Sequence, residues 1–82
     1  MRILLFARLR DLCGTSSVDL NISTPCSVAD IRSALQQAYP EHHALFAAGS
    51  ALAAINQCMS SSDSDPVSPE DEIAFFPPVT GG

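Results

Sequence analysis

The chain contains no lysine: its four basic residues are Arg2, Arg8, Arg10 and Arg32, and against nine aspartates and glutamates they leave a formal net charge of -5. A surplus of that sign repels phosphate backbones at long range, which argues against nucleic acid as a partner. Charged residues are few, at 16%, while 46% of the chain is apolar, so the composition belongs to chains that fold rather than to charge-rich disordered ones. No run approaches the ~20 apolar residues that span a bilayer. The opening MRILLFARLRDL also lacks the long apolar core and small-residue cleavage site of a secretion signal. No membrane association and a cytoplasmic location are therefore expected. Cys13, Cys26 and Cys58 are odd in number and widely spaced, with no C-x-x-C, so neither a disulfide framework nor a zinc site is indicated and reduced, mostly packed thiols are expected. His42 and His43 stand side by side without an Asp or Cys cluster at ligand spacing, which points to neither a catalytic triad nor a metal site. At 82 residues the chain suffices for one compact domain and its tails.

Within that domain, RILLFARL (2–9) reads as a strand closed by the turn chemistry around Gly14, with Ile3, Leu5, Ala7 and Leu9 toward the core and Leu4, Phe6, Arg8 and Arg10 on a partly exposed or partner-covered face. Val18, Leu20 and Ile22 alternate with Asp19, Asn21 and Ser23, the pattern of a half-buried strand, antiparallel to the first if the short connection is a hairpin. Beyond Pro25, Ser27 and Asp30 have the spacing of a reciprocal N-terminal cap, and Val28, Ile31, Leu35 and Ala38 recur at helical intervals, which predicts a helix over 28–38 stopped by Pro40. Residues 41–48 suggest a short helical turn over Leu45 and Phe46. ALAAINQCM (51–59) reads as a third strand and EIAFF (72–76) as a fourth, entered from the polar loop SSSDSDPVSPED (60–71). Five acids lie between Asp63 and Glu72, forming either a solvated loop or a face for a basic partner. Two strands, a helix and two strands make an α+β domain, a small mixed sheet crossed by one main helix, with the most apolar strands, the first and last, as the central pair. The order matches the ubiquitin-like β-grasp, and other small α+β folds fit the periodicity equally.

The last strand runs into PPVTGG and the sequence given stops, so the expected division is a domain over 1–76 and a tail over 77–82. Pro77 and Pro78 stiffen the exit, while Gly81 and Gly82 carry no side chain. The four residues after Pro78 extend at most about 14 Å. Such a tail can thread into a narrow tunnel in a neighbour, which closes around the backbone and brings catalytic groups against the terminal carboxyl. That carboxyl is ionised at neutral pH and is a poor electrophile. With no lysine and no glycine-rich phosphate loop in the chain, its activation falls to a separate ATP-using enzyme. Once activated, the carbonyl can accept sulfur or an amine, and the chemistry of these residues leaves both open.

FFPPVTGG (75–82), preceded by Asp71-Glu72-Ile73-Ala74, closely resembles the end of the molybdopterin synthase small subunits, the MoaD family. Leu4-Leu5-Phe6-Ala7 with Arg10 and Gly14, and Leu52-Ala53-Ala54-Ile55-Asn56-Gln57, extend the resemblance over nearly the whole chain. It implies a β-grasp fold and adenylation of Gly82 by an E1-like enzyme that uses ATP, with no cofactor bound by the chain alone. A persulfide-bearing sulfurtransferase then replaces the AMP with sulfur. It further implies that the Gly82 thiocarboxylate, threaded behind Gly81, donates sulfur to cyclic pyranopterin monophosphate inside the large subunit, in a 2:2 heterotetramer. Phe6, Met59 and Phe76, with Pro77, Pro78, Val79 and Thr80 of the tail, are the partner-binding residues the resemblance implies. Two departures stand out: Pro69-Glu70-Asp71 occupies a turn where glycine is common, and Ser50 stands in place of a frequent lysine. The rivals are a sulfur carrier of another pathway, such as thiamine synthesis, and a ubiquitin-like protein modifier.

Overall fold

A computed structural model describes residues 1–78. Its elements are β1 (Arg2–Leu5), α1 (Ala7–Cys13), β2 (Ser17–Asp19), β3 (Cys26–Ser27), α2 (Val28–Ala38), a 3-10 helix (Pro40–Phe46), β4 (Leu52–Ile55), β5 (Cys58–Met59), β6 (Pro66–Val67) and β7 (Ile73–Phe76). Five strands form one sheet in the order β2-β1-β7-β4-β5, and β3 and β6 form a two-stranded ribbon. The first and last strands of the chain are the parallel central pair, in the register Ile3–Ile73, Leu4–Ala74 and Leu5–Phe75. The α+β, β-grasp expectation is thus met, and the reason lies in composition: a strand flanked on both sides tolerates little polarity, and the three interior strands β1, β7 and β4 are apolar apart from Arg2. No helix among the described residues is long and apolar enough to cross a membrane.

Helix α2 has the predicted span. Ser27 accepts from the Asp30 amide at 3.3 Å while its own amide donates to Asp30 Oδ2 at 2.9 Å, so the reciprocal cap forms. A cap of this kind contributes about 1 kcal/mol. Val28, Ile31 and Leu35 are fully buried in one cluster with Ile3, Leu5, Ile73 and Phe75 of the sheet, each contributing roughly 1.5–3 kcal/mol. Further α2 amides find acceptors in the polar loop, Val28 N–H on Asp65 O at 3.2 Å and Ala29 N–H on Asp63 O at 2.9 Å. Phe46, fully buried at the end of the 3-10 helix, meets Phe75 edge-on at 6.5 Å, so the short turn over 41–48 closes the core.

Several expectations are corrected. The first strand ends at Leu5 and residues 7–13 form α1, so Leu9 enters the core from a helix and Ala7 is exposed. The backbone reverses at Ala7, with φ +52°, and Gly14, with φ +73°, closes the helix by donating to Arg10 O. A helical reading was available in Leu9, Leu12 and Cys13 at spacings of three and four, but the apolar run on both faces of 2–9 masks it. The third strand is a hairpin, β4 and β5 joined by Asn56 and Gln57 at φ +52° and +67°. Two left-handed residues make the tight turn whose twist matches the strands. The polar loop contains β6, whose Val67 is fully buried and pairs with Cys26, so the loop is bound to the domain. The expected second strand is shortened to β2, although Leu20 continues its pairing through hydrogen bonds with Met1. Cys26 is buried, Cys13 partly buried and Cys58 exposed, and burial raises the Cys13 and Cys26 thiols above the usual range, Asp30 adding to it at Cys26.

Candidate functional site: an apolar sheet face beside the C-terminal tail

Strict alternation sorts the sheet into two faces. Ile3, Leu5, Ala53, Ile73 and Phe75 turn inward and are buried. Their neighbours turn out, and the registers align them in rows. Leu4, Ala74, Ala54 and Met59 stand in one line across β1, β7, β4 and β5, and Leu52 faces Phe76 in the next. Phe6 extends that second row: it remains in extended conformation and its amide donates to Phe75 O at 3.1 Å before the chain turns into α1. The result is an apolar patch about three strand spacings wide, or roughly 14 Å.

Phe6 is 46% exposed and Met59 58%, whereas Phe76 and Pro77 are half-buried and Pro78 is exposed. Leu12 on α1 is the other large apolar side chain that is exposed among the described residues. Ala74 and Ala54 lie between Leu4 and Met59, so the larger side chains rise around a shallow centre, the form that receives an apolar group from another surface. The three residues singled out from resemblance therefore belong to one surface. Leu4, Leu52, Ala54 and Ala74 join them, and of these only Leu4 had been placed on an open face. Leu52–Ile55 is apolar at every position, so no alternation marks its outer face, and reading 51–59 as a continuous strand obscured which residues oppose Phe76 and Met59.

The tail leaves from this surface. β7 ends at Phe76, beside Leu52, and Pro77 and Pro78 carry the chain off the sheet at the edge of the patch. Val79, Thr80, Gly81 and Gly82, the rest of the predicted site, lie outside the described residues.

Behind the patch the carboxylates of the polar loop divide into two groups. Asp63 accepts from Arg32 Nε at 3.0 Å, and Asp65 accepts from Ser60 Oγ at 2.8 Å and the Ser61 amide at 3.2 Å. Asp71 accepts from the Ser68 amide at 2.8 Å and from Asn56 Nδ2 at 3.0 Å, and these donors, Ser68 first, hold its pKa below the usual aspartate value. The Asn56 Oδ1 in turn accepts from the Glu72 amide, which staples the β4–β5 turn to the start of β7. The turn around Pro69-Glu70 thus closes through Asp71 N–H to Ser68 O, and none of its residues adopts a positive φ, so the missing glycine costs nothing there. Glu70 and Glu72 are exposed, and among the described residues their side chains form no hydrogen bond or ion pair.

Arg32, which sequence reading counted only as a charge, is the buried polar residue of the domain, at 8% exposure. Besides Asp63 it donates to Phe46 O at 3.2 Å and Ala47 O at 3.3 Å, and its guanidinium lies 5.3 Å from the Phe75 ring centroid. It holds α2, the 3-10 helix and the loop together beneath the strand that carries the tail. His43 Nδ1 lies 3.2 Å from Pro40 O at an exposed position, a local contact within the 3-10 helix.

Comparison with known proteins supplies the remaining constraint. The family model described as the ThiS family matches residues 3–82. The molybdopterin synthase sulfur carrier subunit of Escherichia coli (strain K12) is 37% identical over 82 residues, covering 100% of this chain and 99% of that protein. The protein of the same name from Haemophilus influenzae is 38% identical over 82 residues with the same coverage. Among solved structures, the small archaeal modifier protein 1 of H. volcanii superposes with a TM-score of 0.78 at 25% identity, over 95% of each chain. A match along nearly the full length places the chain in one group: it belongs to the ThiS family, as a relative of the molybdopterin synthase sulfur carrier subunits.

Proposed function

We propose that this chain is a sulfur carrier for molybdopterin synthesis, with the carboxyl group of Gly82 as the site of chemistry. The observation that carries the proposal is the ending FFPPVTGG on a central strand, flanked by an apolar face, in a chain more than a third identical to two molybdopterin synthase sulfur carrier subunits. An E1-like enzyme uses ATP to form the Gly82 acyl-adenylate, because the carboxylate alone is a poor electrophile. The terminal sulfur of a sulfurtransferase persulfide attacks the acyl-adenylate and expels AMP, and a second thiol then cleaves the resulting acyl disulfide, leaving the thiocarboxylate on Gly82 and a disulfide on the thiol side. The tail, segment 77–82, then enters the large subunit of molybdopterin synthase, in a 2:2 assembly, where two successive transfers to cyclic pyranopterin monophosphate build a dithiolene.

This chain's own residues perform three tasks. Phe6, Met59 and Phe76 dock the enzymes in turn, Pro77 and Pro78 direct the tail, and the side-chain-free Gly81 and Gly82 allow catalytic groups to approach the carbonyl. The nucleophile is carried by this chain, while the cations that would bind a phosphorylated substrate belong to the partner. Cytoplasmic action and the lack of a cofactor bound by the chain alone are part of the same reading.

The test is the intact mass of the chain purified from cells that retain its activating and sulfur-supplying enzymes. Oxygen replaced by sulfur adds about 16 Da, located on the C-terminal peptide. Deleting Gly82 should abolish both the gain and molybdopterin synthesis while leaving thermal stability unchanged. A des-Gly82 chain that still supports synthesis would refute the mechanism, and Gly82 found amide-linked to lysines of other proteins would turn the assignment to a protein modifier.

A further inference from the structure

The two ends of the open sheet face differ. Because β1 and β7 are parallel, the tail leaves one end of the patch, past Leu5 and Phe76, while Arg2 and Glu72 stand at the other. There the apolar row ends in a concavity of about 460 Å³ lined by Arg2, Leu4, Pro69, Glu70, Asp71 and Glu72. Leu4 belongs to both, so patch and concavity are continuous. Three carboxylates stand there against one guanidinium. Asp71 is engaged with Ser68 and Asn56, and Asp63 and Asp65 are held elsewhere in the loop. Of the five acids between 63 and 72, Glu70 and Glu72 are left exposed at the rim of the patch.

An apolar patch holds a partner without specifying its direction, because hydrophobic attraction is non-directional. Direction is decisive for this molecule: four residues reach at most about 14 Å, so a docking turned by half a revolution carries the carboxyl away from its target. Charges at a rim supply orientation and encounter rate more than affinity. The net charge of -5 adds a long-range bias toward a basic surface.

We propose that the protein surface received by this face presents an arginine or lysine beside its apolar patch, that this cation seats between Glu70 and Glu72 in the concavity, and that it thereby sets the direction in which the tail points. The inference rests on the sulfur-carrier reading, which supplies the partner. The experiment measures association of the chain with the purified large subunit of molybdopterin synthase from the same cells, for the wild type, Glu70→Gln/Glu72→Gln and Glu70→Lys/Glu72→Lys. Both sites are exposed, and unchanged melting temperatures verify the fold. At about 20 mM salt the double lysine variant should associate at least about 10-fold more slowly, the glutamine variant should fall between, and the gap should close near 0.5 M, where screening is nearly complete. Dissociation rates should change little. Wild-type association by the lysine variant at low salt would overturn this inference alone. Failure of the wild-type chain to bind would overturn the sulfur-carrier reading, and this inference with it.

Discussion

Replacing Arg32 by alanine tests whether one buried cation holds the domain together. The guanidinium donates to two main-chain carbonyls, Phe46 O and Ala47 O, pairs with Asp63, and lies over the Phe75 ring. Hydrogen bonds from a charged donor are worth roughly 1.5–3 kcal/mol net, and the cation–π contact about 0.5–2 kcal/mol. Against these stands the cost of burying the charge, which the paired and hydrogen-bonded geometry offsets only partly. Asp63 is 36% exposed, so its pairing is screened and adds about 1 kcal/mol or less. The balance is a loss of about 3 kcal/mol for Arg32→Ala, much of it from carbonyls left without a donor. In a domain of this size each kcal/mol moves the melting temperature by roughly 4–8 °C, so a fall of about 12–24 °C is expected. Asp63→Ala, which leaves the carbonyl contacts intact, should lose no more than about 8 °C. Thermal and urea unfolding followed by circular dichroism would measure both. Equal losses in the two variants would refute the assignment of the stabilisation to the main-chain contacts. Because Phe75 faces the core and Phe76 the open face, sulfur loading of Gly82 in Arg32→Ala should persist below its lowered melting temperature.

Placing a charge on the patch by Met59→Asp should weaken binding to the large subunit by about 2 kcal/mol, roughly 30-fold, without a change in melting temperature, as titration calorimetry would show. Undiminished affinity would remove Met59 from the docking surface. Gln57→Gly should stabilise the chain by about 0.5–1 kcal/mol, since glycine adopts the left-handed conformation of this turn without a Cβ penalty and loses only part of that gain to unfolded-state entropy; a lower urea midpoint would contradict it. The pKa of Asp71 is depressed in the folded chain, so the unfolded chain binds the proton first as pH falls. The stabilisation is therefore complete above the ordinary aspartate value of about 3.9 and disappears as pH drops through the lower folded value. The stability difference between wild type and Asp71→Asn should shrink on acidification across that window, and a difference that grows would reverse the assignment.

Legibility in the sequence followed the range of the interactions involved. Helix α2 could be read to the residue because its cap, its apolar stripe and its stop at Pro40 are all local. Helix α1 could not, because the run 2–9 is apolar enough to continue β1, and only the reversal at Ala7 interrupts it. The β4–β5 turn escaped notice because Asn-Gln lacks the glycine that usually marks two left-handed residues. Arg32 gave no sign of burial, since its acceptors are fourteen and fifteen residues away and Asp63 is thirty-one.

The uncharged, stiff Pro-Pro exit and the lack of side chains at Gly81 and Gly82 were set by the sequence alone, because these are properties of covalent structure. So were the absence of lysine and the apolar character of the two central strands. Tertiary structure decided which side of those strands became the core, which carboxylates were drawn into hydrogen bonds, and that Phe6, Met59 and Phe76 share one face. Those outcomes depend on register and on pairing between distant residues, and a one-residue shift in either would have turned Phe76 inward and Phe75 out.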